Sequence, residues 1–204
     1  MAYTKINRLI AYPLTYFYVM AGYIITNYNS LNPPQFLPLT FLDMQIPFLE
    51  WTGWIYCTVY FVPLIAAFVV TKDRDIKAML TCFLVLSTLC FIVFLMHPTT
   101  YPRPTLSEPN FFNFPLQIAF QIDRPSNCWP SLHVVYAFLT AFFVQLYKPR
   151  LGSFLLLWAI VIAISTLTVK QHYLWDVLAG YLLARVGFKA SMMFWSRQSV
   201  VSRT

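Results

Sequence analysis

The sequence predicts an all-α integral membrane protein in which six transmembrane helices carry a polar site at their outer ends. Three observations lead there. Hydrophobic residues make up 59% of the 204-residue chain and charged residues only 10%, where a soluble domain has about 25% charged. Apolar runs close to the roughly 20 residues that a helix needs to cross a bilayer recur six times. The histidines and a minority of the basic residues gather at one set of run ends. Residues 1–204 therefore read as a single six-span domain, with no separate soluble module and no tandem repeat.

In chain order, the runs cover residues 10–28, 53–71, 78–96, 131–147, 151–169 and 173–195. The first lacks a small-residue cleavage site and reads as a retained span. The second and third are joined by Lys72–Lys77, a short solvated connector of mixed charge. The fourth opens on Pro130-Ser131, a good helix start. The fifth and sixth meet in the stretch Ser165 to Asp176. The sixth carries Arg185 and Lys189, whose long stems can snorkel toward the nearer membrane face.

Six spans put both termini on one side. Of the fourteen basic residues, only Arg103, Arg124 and Lys170 fall on the other. This asymmetry predicts cytoplasmic termini in a cytoplasmic (inner) membrane. It also accounts for the net charge of +7 without a nucleic-acid partner. The three outer basic residues run against that bias, and His97, His133 and His172 lie at the same outer ends. Such a cluster suits an anion such as phosphate.

The first outer loop, residues 29–51, shows no chemistry and is expected to fold back on the membrane surface. The second, residues 97–130, holds seven of the fourteen prolines, which excludes a long helix. Its apolar middle, Phe111 to Ile122, is expected at the bilayer interface, either guiding a lipid or packing over the helix ends. Cys57, Cys82 and Cys90 read as apolar fillers, and Cys128 lies in the loop. No cysteine has metal-ligand spacing. A Cys57–Cys128 bridge is left open.

Two segments carry the chemistry. His172 and Asp176 stand four apart, on one face of a helix. A carboxylate there fixes the imidazole tautomer and supports its protonated form, or else satisfies a buried histidine. An ionisable pair at membrane depth is costly and usually functional. In the other, Ser131 and His133 start the fourth run. The free N–H groups of Ser131, Leu132 and His133 would favour an anion, unless Ser131 is only a cap.

An Arg-Pro (Arg103-Pro104), then Pro-Ser-x-His (Pro130 to His133), then Ser-x6-His-x3-Asp (Ser165 to Asp176), ordered across six spans, resembles the type 2 phosphatidic acid phosphatase superfamily. The resemblance covers roughly residues 40–190, with a motif core at about 97–180. The Pro-Ser-Leu-His form is also similar to the branch containing inositol phosphorylceramide synthases. The resemblance implies that His172 is the nucleophile, that Asp176 orients it, and that His133 is the general acid. It implies that Arg103, Ser131 and the N–H groups of Leu132 and His133 hold the phosphoryl oxygens, with no metal and no cofactor. Two of that family's cations are missing: Met96 and Thr166 stand in their places. Lys170 and Arg124 are the candidate replacements. The implied activity is a lipid phosphatase acting on a phosphate monoester or diphosphate at the outer face, with the substrate's tail left among membrane lipids. The alternatives are a phosphotransferase that passes the phosphoryl group to an acceptor hydroxyl, and a non-catalytic binding or transport protein on the same scaffold. Which lipid is used, and the oligomeric state, are not written in these motifs.

Overall fold

The computed structural model describes residues 5–201, with side chains described for residues 10–197. Arg203, and the side chains of Lys5 and Arg8, all counted in the charge argument, lie outside the described residues. Helix α1 runs Lys5–Tyr28 with Pro13 inside it. After a loop containing the short helix α2, Phe41–Gln45, the second apolar run is helical from Glu50 to Val69. It is not a uniform helix: α3 (Gly53–Cys57) and α4 (Val62–Val69) are joined by a 3₁₀ turn at Thr58–Tyr60. Pro63 has no N–H to donate back to this turn. At the end of α3 the Thr58 hydroxyl donates to the Ile55 carbonyl at 2.6 Å.

Helix α5 is Asp73–Met96, with Asp73 and Asp75 in its positively polarised first turn. It ends ahead of Pro98, which disfavours helical backbone at His97. The second long loop holds one helix, α6, of nine residues from Phe114 to Ile122. Then come α7 (Leu132–Gln145), α8 (Pro149–Thr168) and α9 (Leu174–Val201).

Among the described residues, four helical segments are long and apolar enough to cross a bilayer: Glu50–Val69, Asp73–Met96, Pro149–Thr168 and Leu174–Arg197. Helix α7 has only fourteen residues, about 21 Å at 1.5 Å per residue, against about 30 Å of hydrocarbon. It is nonetheless the centre of the bundle. Every residue from Leu132 to Val144 except Tyr136 is buried, under α4, α8 and α9, while α5 packs on α1 and α9. Its near-continuous apolar sequence follows from contact on all sides.

The ends of all these segments meet at one pole. There the Leu31 N–H donates to Leu95 O, Leu49 N–H to Thr168 O, and Ser131 N–H to Asp176 O. The expectation of a wholly α protein needs one correction. The two long loops pair as short parallel strands, β1 (Gln35–Phe36) with β2 (Thr99–Thr100), in the register Gln35↔Thr99. A further bridge joins Thr99 to Asn127. These backbone groups lie beyond the helix ends and must find partners there.

Gly180 sets how closely α9 approaches the start of α7. A Cβ at this position would lie 2.6 Å from the Ser131 carbonyl oxygen and 3.0 Å from Val134 Cβ. Gly180→Ala is therefore expected to cost about 1–3 kcal/mol, seen as a lower unfolding midpoint in detergent. An unchanged midpoint would show that the two helices separate freely.

Candidate active site

The polar end of the bundle is built around the five-residue connection between α8 and α9. Lys170 turns the chain there with φ 56°, a left-handed conformation that a non-glycine residue adopts at some cost. Its side chain helps to hold the turn. Nζ donates to the carbonyls of Ile46 at 2.6 Å and Asp43 at 3.0 Å.

The turn delivers His172 into the interior. Its Nδ1 lies 2.8 Å from the Cys128 carbonyl oxygen and 3.2 Å from Asp176 Oδ2. A carbonyl can only accept, so the hydrogen-bond pattern assigns the proton to Nδ1 and leaves the lone pair on Nε2. Asp176 is fully buried. Its Oδ2 also accepts the Tyr173 N–H at 2.8 Å, which holds the carboxylate on the His172 side.

His133, on the first turn of α7, brings its ring to 5.6 Å from that of His172, edge to face. Tyr56 stacks on the His133 ring at 4.2 Å, and Tyr60 meets it edge-on at 5.9 Å. His133 Nε2 is buried and has no hydrogen-bond partner among the described residues. Ser131 is the N-cap of α7, and its hydroxyl oxygen accepts the Val134 N–H at 3.5 Å. One expectation is corrected here: the Ser131 N–H is not free, because it donates to the Asp176 carbonyl at 3.2 Å. The α9 backbone comes that close because residue 180 has no side chain. The anion-directed groups at this helix start are thus the N–H groups of Leu132 and His133.

Arg103 reaches the same region. Nη2 donates to Asp123 Oδ2 at 3.2 Å and to Gln171 Oε1 at 3.1 Å. Nη1 donates to the carbonyls of Asp123 at 2.6 Å and Phe120 at 3.3 Å. Its Nε is buried without a partner among the described residues. Of the other basic candidates, Arg124 also lines the small polar space beside His172, whereas Lys170 is turned to loop carbonyls. Lys170 is engaged with the loop between α1 and α3, and burial lowers its pKa. The Arg124 guanidinium is exposed and lies 4.3 Å above the Tyr28 ring. Met96 is half exposed at the end of α5, while Thr166 is buried, with its hydroxyl on the Ala163 carbonyl.

Several residues at this pole escaped the sequence reading. Asp123 is the main one. Its Oδ1 accepts from Tyr23 Oη at 2.8 Å and Asn27 Nδ2 at 2.9 Å, opposite the oxygen that takes Arg103. Burial pushes its carboxyl pKa up, against the lowering influence of the Tyr23 hydrogen bond and the Arg103 charge. The available signal was an acid that ends the apolar run Phe111 to Ile122 in a chain with only seven acids. The loop between α1 and α3 also has a role that the sequence reading missed. Asp43 is buried and caps α2 at Thr40, and its Oδ1 receives the Leu174 N–H at the start of α9 at 2.9 Å. Glu50 ties down the second loop through Ser107 and Asn113.

Two spaces flank the histidines. A small polar one, about 10 Å³, is lined by His172, Gln171, Asp123, Tyr23 and Tyr56, among others. A large apolar cleft, about 640 Å³, lies between α1, α4, α5 and α7 and ends at His133. Along α1 it extends from Tyr23 to Tyr12, about 16 Å of helix. Tyr23 lines both spaces.

Among the described residues no three His, Cys, Asp or Glu side chains gather as a metal site. The four cysteines are free thiols, so Cys57 and Cys128 are not bridged. Burial raises the pKa of Cys128 well above the ordinary thiol value. Compared with known families, the chain matches the PAP2 superfamily over residues 30–190. No curated protein sequence matches it.

Proposed function

Because the chain belongs to the PAP2 superfamily, we propose that it is a metal-independent lipid phosphatase working through a phosphohistidine on His172. The observation that carries this reading is the paired arrangement of the two histidines. His172 Nδ1 is bound to Cys128 O, which leaves Nε2 as the electron-pair donor. His133 stands 5.6 Å away, ring to ring, with an unpartnered Nε2.

The reaction follows from these groups. The Nε2 lone pair of His172 forms the N–P bond while the ester P–O bond breaks. The leaving oxygen takes the electron pair of that bond and a proton from His133. Water then attacks phosphorus and gives a proton to His133. The N–P bond breaks, its electron pair returns to Nε2, and phosphate leaves. Asp176 holds the Nδ1 side of His172 and balances the charge that forms on the imidazole. Arg103 Nε and the N–H groups of Leu132 and His133 are the donors for the phosphoryl oxygens, with Ser131 shaping the helix start behind them.

In this reading the apolar cleft receives the lipid tail. The apolar cleft ends at His133 and extends about 16 Å along α1, roughly half of the 30 Å hydrocarbon core. One leaflet's tail fits that depth. A tail gains little by moving from lipid into an apolar groove, so the cleft acts mainly by placing the phosphoester. Val19→Trp, which would fill the groove, is expected to lower kcat/KM about tenfold more for a long-chain lipid phosphate than for a tail-less aryl phosphate. Equal effects on both would count against the cleft. In this reading the six helical segments are six spans and the termini are cytoplasmic. The short α7 sets the site below the outer membrane boundary.

Lys170 and Arg124 take different places in this scheme. Lys170 supports the site by clamping the first outer loop beneath the His172 turn, and Arg124 stands at the rim. Lys170→Met is expected to lower kcat severalfold with a reduced unfolding midpoint. A loss confined to KM, with the midpoint unchanged, would instead make Lys170 a direct phosphate ligand.

The test is release of inorganic phosphate by purified protein in detergent, over a panel of lipid phosphates and diphosphates with EDTA present. Release that persists in EDTA is expected. Activity lost to EDTA and restored by a divalent cation would refute the metal-independent mechanism. Release that requires an added alcohol, with phosphoryl transfer to it, would establish the phosphotransferase instead.

A further inference from the structure

In the closed bundle Arg103 is not a free cation. Four of its hydrogen bonds go to the Asp123 carboxylate, the Asp123 and Phe120 carbonyls and Gln171. Only Nε remains unpartnered among the described residues. Asp123 binds through both ends of its carboxylate: one oxygen holds Arg103, and the other holds Tyr23 and Asn27 of α1. The loop bearing Asp123 is fastened to the same helix. Asn27 takes the Arg124 N–H at 2.8 Å and donates to the Arg124 carbonyl at 2.7 Å.

From this geometry we infer that Asp123 is a positioning residue that fixes the Arg103 guanidinium against Gln171, the chain neighbour of His172, and ties it to the helix walling the apolar cleft. The inference rests on the phosphoryl-transfer reading above. Two features favour positioning over a carboxylate that merely blocks the phosphate place. Arg103 is also held by the main-chain carbonyl of Asp123, so swinging the side chain away would not release it. Asp123 Oδ1 is fixed by two α1 donors, so the side chain is not free to swing. Tyr23 lines both the tail cleft and the polar space at His172, which places the Asp123–Tyr23 hydrogen bond where tail and head group would join.

The test compares Asp123→Asn, Asp123→Ala and the milder Tyr23→Phe with Arg103→Ala and the double variant Asp123→Ala/Arg103→Ala. Activity is expressed per folded molecule. Asp123→Asn is expected to lower kcat roughly 10- to 100-fold with a smaller change in KM, and Tyr23→Phe severalfold. Adding Asp123→Ala to Arg103→Ala should do little more, because both act through one guanidinium. Orthovanadate, a phosphate mimic whose binding is read from the unfolding midpoint, supplies a measurement that needs no turnover. Asp123→Asn and Arg103→Ala should weaken it alike. Losses that multiply in the double variant, an unchanged kcat in Asp123→Asn, or tighter vanadate binding by Asp123→Asn would overturn the inference. Vanadate binding by wild-type protein without phosphate release from any lipid would sink the phosphatase reading and leave the vanadate series to decide the role of Asp123. No vanadate binding by the wild type would overturn both.

Discussion

His172→Ala is expected to abolish phosphate release, by roughly 10⁴-fold or more, with the protein still folded. The side chain is buried, but its contacts are few: a carbonyl, one carboxylate oxygen and neighbouring rings. His172→Asn should be equally inactive, though it can keep a donor toward the Cys128 carbonyl. Labelled phosphate trapped on the wild-type protein as an acid-labile, base-stable adduct should be missing from both variants. Activity within tenfold of wild type in a folded variant would eliminate the covalent route and reassign His172 to phosphate binding.

His133→Ala should have the second largest effect, and its size should depend on the leaving group. For a lipid alkyl phosphate the departing alkoxide needs a proton, and loss of the general acid is expected to lower kcat about 10²- to 10⁴-fold. An aryl phosphate with an acidic phenol needs that proton far less, so its formation of phosphohistidine should be much less impaired. Comparing single-turnover bursts on the two substrates measures this difference directly. Equal losses on both would show that His133 only shapes the wall between Tyr56 and His172. The Tyr56 stack at 4.2 Å is expected to hold the ring position in either case.

Much of this site was legible because its residues are irregular in their settings. His172 and Asp176 are four apart at the start of an apolar helix, and ionisable residues there need a reason. Pro130-Ser131 announced the start of α7, and Ser131 is indeed its N-cap. Asp123, Asp43 and Tyr23 were not legible. Only Asp123 stands out locally, as an acid closing an apolar run, and each matters through a partner about 100 to 130 positions away. A pattern read over ten or twenty residues does not contain such pairs. The Ser131 N–H was misread for the same reason: its partner, the Asp176 carbonyl, lies on a different helix.

Hydropathy and spacing along the chain are enough to specify helices apolar enough to cross a membrane, their positions at those apolar runs, and the gathering of histidines and an arginine at one set of helix ends. Those properties follow from hydropathy and helical spacing, which act locally. The folded arrangement was needed to assign the proton on His172, to pair Arg103 with Asp123, to turn Lys170 to loop carbonyls and to form an apolar cleft that reaches His133. These depend on hydrogen bonds and close approaches between distant segments, where a few tenths of an ångström separate a bond from a clash.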